Sequence, residues 1–180
     1  MRTCTDIIGK PIISVDNGIN LGTAKDVYFD QRLERLAGIF LRSEGLLKRK
    51  IHFVDAQNIV LLGHDAVLVN RSDVVQASES SDVYQEWIRR ERVIGRTIKT
   101  SGGTLIGSIG DIYLSLSGEV RAVVLIRVQI ESPVASVGLI ARDAVLDPGG
   151  DDVSMIVDLA KAEQQSSEAL KAVGNAEPGS

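Results

Sequence analysis

Apolar residues fall along this chain in short runs, many of them alternating with polar ones. Ile13 and Val15 have polar neighbours, the period of a strand with one buried face. Pro11 has no donor N–H and suits the first residues or the edge of that strand. Asn17-Gly18 tolerates the positive φ of a tight turn. From Leu21 to Asp30, Leu21, Val27 and Phe29 fall on one face, with Gly22, Ala24, Asp26 and Tyr28 on the other. Leu36–Leu41 is apolar on both faces, as a central strand is. Further short runs lie at Ile51–Val54, Asn58–Leu62 and Ala66–Val69. That makes about six strands at the spacing of a small barrel or sandwich.

The pattern then returns. Leu21-Gly-Thr-Ala-Lys-Asp-Val-Tyr-Phe-Asp30 is answered by Ile106-Gly-Ser-Ile-Gly-Asp-Ile-Tyr-Leu-Ser115. Ile94-Gly95 answers Ile8-Gly9, Ile98 answers Ile12, Glu119 answers Glu34, and Ala122 answers Ala37. Val120–Ile130 reads as a long apolar strand. Leu139–Leu146 answers the region around Asn58–Leu61, and Val153–Val157 closes the second unit. Gly102–Gly107 lacks the Gly-Lys-Ser/Thr ending of a phosphate loop and reads as a hairpin turn.

Ser78–Ser81 is a small, polar linker between the copies. Asp82 can cap a helix, with Gln85 placed for a capping box. Val83 with Trp87, and Tyr84 with Ile88, are i, i+4 apolar pairs, and Glu86 with Arg90 is an ion pair at the same spacing. These predict a short helix over Asp82–Arg90. The expected organisation is a first unit over 1–77, a linker with a short helix over 78–92, and a second unit over 93–160. A disordered or weakly helical tail is expected over 161–180, where large apolar residues are few.

Composition narrows the function classes. The chain has 180 residues, 44% of them hydrophobic, and a net charge of -4. That balance weighs against direct nucleic-acid binding, which needs a basic excess. Aromatic residues make up 4%, too few for a base-stacking surface. Cys4 is the only cysteine, so neither an internal disulfide nor a cysteine-rich zinc site can form. No apolar run approaches the roughly 20 residues of a membrane helix. A cytoplasmic protein without a membrane span is expected.

The repeated residues carry a resemblance. Ile8-Gly9-Lys10, Gly22-x-x-x-Asp26-Val27-x-Phe29-Asp30, the Leu36–Leu41 strand, Asp55-Ala-Gln-Asn-Ile59 and Asp65-Ala-Val-Leu-Val69 resemble the PRC-barrel family. The second copy spans Ile94–Val157 and departs at Ser115 and at Val137-Gly-Leu-Ile140. The resemblance implies an all-β chain of two tandem small six-stranded PRC-like β-barrels joined by a short helix. It also implies a docking module on a larger assembly rather than an enzyme. A role in ribosome maturation or RNA processing, ligand sensing, and a photosynthetic accessory role are the alternatives it carries. A lone unit of this size buries only about 60% of its unfolded surface. The two units are therefore expected to share an interface, or the chain to form a homodimer.

No catalytic, cofactor-binding or metal-binding residue is assigned. Asp26 and Asp30 lie four apart on a strand, about 13 Å from each other, too far to share one cation. They and Asp111 are expected to accept hydrogen bonds from nearby turn amides. His52 and His64 read as surface residues. The basic clusters Lys48–Lys50 and Arg89–Arg92 read as solvated turns. Trp87, with Tyr84 and Arg90, is the candidate contact for a protein partner, because tryptophan anchors interfaces well.

Overall fold

The computed structural model describes residues 1–45, 50–79 and 87–174. These group into two compact units, Met1–Val93 with Tyr113–Val120, and Ile94–Ile112 with Arg121–Ser180.

In the first unit β1 is Arg2–Thr3, β2 Pro11–Ser14, β3 Asn20–Thr23, β4 Asp26–Asp30 and β5 Leu36–Glu44. Then follow β6 Lys50–Asp55, β7 Ile59–Leu62, β8 Val67–Val69, β9 Val75–Glu79 and β10 Trp87–Arg89. They form a four-stranded sheet in the order β3-β2-β8-β7 and a five-stranded sheet in the order β10-β4-β5-β6-β9. Among the described residues no sheet closes into a barrel, unlike the expectation. The chain leaves one sheet and enters the other at Ala24-Lys25 and at the 3-10 turn Ala56–Asn58. Those bends break the ladder that closure requires. β1 pairs with Tyr113 and Leu114, which belong to this unit.

β5 is central, as its apolar run predicts, with β4 and β6 on either side. Ile7, Ile12, Val27, Phe29, Leu33, Ile39 and Val54 are among the residues that fill the core, each at most 1% exposed. Leu33 holds φ at 54° inside the turn between β4 and β5. Its burial offsets a left-handed conformation that usually favours glycine. In the second copy of the repeat Gly118 holds the corresponding position at φ 88°.

Two expectations around the linker are corrected. Ser78 and Glu79 are not linker but the end of β9, paired with Ile51 and Lys50. Residues 80–86, including Tyr84, lie outside the described residues. Within the described part of that stretch, Trp87–Arg89 is a strand rather than a helix, and Arg90–Val93 is helical. Trp87, Ile88 and Arg89 pair with Asp30, Phe29 and Tyr28. The otherwise unpaired edge of β4 and a seat for the indole outweigh a helical periodicity that is weak over so few residues.

In the second unit β11 is Thr97–Thr100, β12 Leu105–Leu114, β13 Val120–Ile126, β14 Leu139–Ala141, β15 Val145–Asp147 and β16 Met155–Val157. The order is β14-β13-β12-β11-β16-β15. The registers repeat those of the first unit: Ile98 faces Gly107 as Ile12 faces Gly22, with a bulge at the next position in both. β11 runs parallel to β16 as β2 runs parallel to β8. The long strand expected to Ile130 ends at Ile126, because Arg127 turns to φ 53°. A short helix, Pro133–Val137, follows, capped by Ser132 and stopped by Gly138 at φ 70°.

Of the tail, expected to be disordered or weakly helical, the part as far as Gly174 is helical. Leu159–Gly174 is a regular helix of 16 residues. Ala162 and Ser166 are buried beneath it, at 2% and 5% exposure. Asp143 accepts from Gln165 Nε2 at 2.9 Å and pairs with Lys161 Nζ at 3.1 Å. The Gln165 and Lys161 bonds hold the Asp143 carboxyl below the usual carboxylate range. Residues 175–180 lie outside the described residues.

Candidate partner-binding site

The five-stranded sheet of the first unit presents one face built from three rows. Residues directly opposite in an antiparallel pair share a face. Tyr28 therefore shares a face with Gly38 and with Arg89, and Gly38 with Asp55. Asp30 and Asp26 stand two residues either side of Tyr28 and point the same way. Phe40 and Phe53 join them opposite Asp26, and Trp87 opposite Asp30.

Trp87 is seated among aromatic rings. Its ring centroid lies 5.2 Å from Phe53, edge to face, and 5.9 Å from Tyr28. Tyr28 meets Phe40 edge to face at 6.4 Å. Such pairs contribute about 0.5–1.5 kcal/mol each beyond the area they bury. Gly38 makes room for the indole: a Cβ there would stand 2.7 Å from Trp87 Cζ3 and 2.9 Å from the Val54 carbonyl oxygen. The tryptophan is nonetheless only half-buried. Its remaining surface walls a cleft of about 360 Å³ that also takes in Asp30, Arg35, Leu36, Asp55 and Gln57.

The carboxylates on this face differ in their partners. Asp26 is 6% exposed and is met by Arg89 Nη2 at 3.3 Å and Arg90 Nε at 3.2 Å. Its Oδ1 also accepts the Val27 amide at 2.9 Å. The turn-amide expectation for Asp26 is thus incomplete, since two guanidinium groups hold it. Asp30 does accept turn amides, from Glu34 at 2.7 Å and Arg35 at 3.4 Å. Asp111 accepts the adjacent Ile112 amide at 2.8 Å. Asp55 caps the 3-10 turn through the Gln57 amide at 2.9 Å.

Of the candidate contacts named from sequence, Trp87 lines the cleft. Arg90 is drawn to Asp26, so the basic cluster around it is partly consumed inside the unit. Arg89 is also 2.6 Å from Glu91. Lys48 and Arg49 lie outside the described residues. His52 is half-buried, with Nε2 3.3 Å from the Glu44 carboxylate, rather than a plain surface residue. His64 is exposed and 2.7 Å from Asp65. Asp55, Gln57 and Gly38 were not singled out from sequence. The available signal was a glycine inside an apolar central strand, which marks a close approach of another group.

Among the described residues no group of three or more His, Cys, Asp or Glu side chains is placed to hold a metal ion. No helix among them is long and apolar enough to cross a membrane. Residues 1–76 match the PRC-barrel domain family. No curated protein matches the chain.

Proposed function

We propose that this chain is a non-catalytic interaction module that docks another protein on the Trp87 face of its first unit. One observation carries the reading. A half-buried tryptophan is fixed by Gly38, Tyr28 and Phe53, and it lines an open cleft. A pre-ordered aromatic with a polar rim is the usual anatomy of an interface anchor, because little entropy remains to be lost on binding. The match of residues 1–76 to the PRC-barrel family supports the same reading.

The test is affinity capture with the tagged full-length chain in its native cell, followed by titration of the purified partner. A stoichiometric complex that weakens at least tenfold with Trp87→Ala is expected, checked against Leu146→Ala, an exposed residue of the second unit. Equal weakening by both variants, or no saturable partner, contradicts the reading.

A further inference from the structure

We infer that the cleft beside Trp87 receives a guanidinium group, the side chain of an arginine presented by the partner protein. This rests on the interaction reading above and names what that surface recognises.

The carboxylates of the face supply the argument. Asp26 already has two guanidinium partners. Asp30 and Asp55 have, among the described residues, only backbone amides, and both use Oδ1 for them. Their Oδ2 atoms have no donor among the described residues, and both side chains are half-buried and line the cleft. A carboxylate accepts at both oxygens, so each acid keeps acceptor capacity that a donor entering the cleft can use. A planar, forked donor is the group best matched to a carboxylate acceptor.

Folding does not demand either acid. In the second copy of the repeat the turn answering Asp30 is closed by Ser115, whose Oγ accepts the Glu119 amide at 3.0 Å. The 3-10 turn answering Asp55 starts at Ala141 and has no side-chain cap bond. The same turns therefore form with a hydroxyl and with a methyl group. What the carboxylates add in the first unit is negative charge beside an indole.

That pairing of groups selects the ligand. A cation over an indole is attracted to its ring face. A planar guanidinium can stack on the ring and donate sideways to carboxylates at once, which an ammonium cannot. Arg35 lines the same cleft, but its guanidinium is exposed and without an ion-pair partner among the described residues. The two carboxylates outnumber it and leave the cleft acidic.

Trp87 is the sole tryptophan, so its fluorescence reports the site directly. The full-length chain is titrated with the peptide acetyl-Gly-Arg-Gly-amide. A saturable change is expected, with an affinity on the order of millimolar, as one contact gives. The citrulline peptide, isosteric and uncharged, is expected to bind at least tenfold more weakly, and the lysine peptide at least threefold. Asp30→Asn and Asp55→Asn retain the oxygen that accepts the turn amide, so the fold is kept, and each is expected to weaken the peptide at least fivefold. No saturable response, an equal response to citrulline, or a response to calcium chloride alone overturns the inference. A captured partner that binds the Asp30→Asn/Asp55→Asn chain undiminished also overturns it, while leaving the interaction reading intact. Peptide binding without any protein partner does the reverse.

Discussion

Gly38 and Trp87 are one structural decision made at two positions. A Cβ at Gly38 meets both the indole and the Val54 carbonyl oxygen, and the carbonyl cannot move without breaking the ladder. Gly38→Ala is therefore expected to cost about 1–3 kcal/mol, the range for overpacking, and to shift the tryptophan emission. Chemical denaturation and a fluorescence spectrum check both, and an unchanged emission maximum would show that the indole does not sit on Gly38. Asp26→Asn leaves two guanidinium groups short of their counter-charge in a site where the carboxylate is nearly buried. A loss of about 1–3 kcal/mol is expected, as for a hydrogen bond to a charged group. If the loss is negligible in low salt, the pair does not hold Arg90 to β4. Leu33→Gly regains about 1–2 kcal/mol of left-handed strain but gives up about 2–5 kcal/mol of core packing. The balance should fall on the side of destabilisation, and a more stable variant would show that the buried side chain contributes less than its conformation costs.

Among the elements, the C-terminal helix Leu159–Gly174 rests on a small patch of contacts, in which Asp143 has the clearest electrostatic part. Its carboxyl titrates lower in the folded chain than in the unfolded one. The stability it adds is then complete above its unfolded pKa, near the ordinary value of about 3.9. It is lost as pH falls through the lower folded value. Protection of the Lys161 and Gln165 amides, taken relative to their intrinsic exchange rates, should fall below about pH 4, and Asp143→Asn should remove that part of the pH dependence. Protection that is flat through this window would mean the docking is apolar alone. The helix also shows why element boundaries were hard to read. Its sequence is poor in large apolar residues, but Ala162 and Ser166 bury well because small side chains let the backbone approach its support. The edge strand Trp87–Arg89 is hard to read from sequence for the opposite reason. Its spacing fits a helix, and only pairing with Asp30, Phe29 and Tyr28, distant in sequence, makes it a strand. Strand positions with strict alternation or a two-faced apolar run were legible, as Ile12–Gly22 and Leu36–Leu41 show.

For the whole molecule, the internal repeat was the most legible feature, because matching Gly, Asp and Tyr positions need no knowledge of contacts. Register for register, the two units treat Ile12 and Ile98, and their glycine partners, alike. The candidate site was half legible. Trp87 stood out by type, whereas Asp55 and Gly38 reach it only through cross-strand pairing. Differences between the copies fall at the candidate site: Asp30 against Ser115, and Asp55 against Ala141. The account therefore assigns scaffold to what recurs and recognition to what occurs once.

Hydrogen–deuterium exchange of the full-length chain, alone and saturated with its captured partner, tests that assignment most directly. Protection is predicted in Tyr28–Gly38, Phe53–Gln57 and Trp87–Arg89, with the second unit unchanged. Protection confined to Leu159–Gly174 or elsewhere in the second unit, with the Trp87 face exchanging as in the free chain, would contradict it.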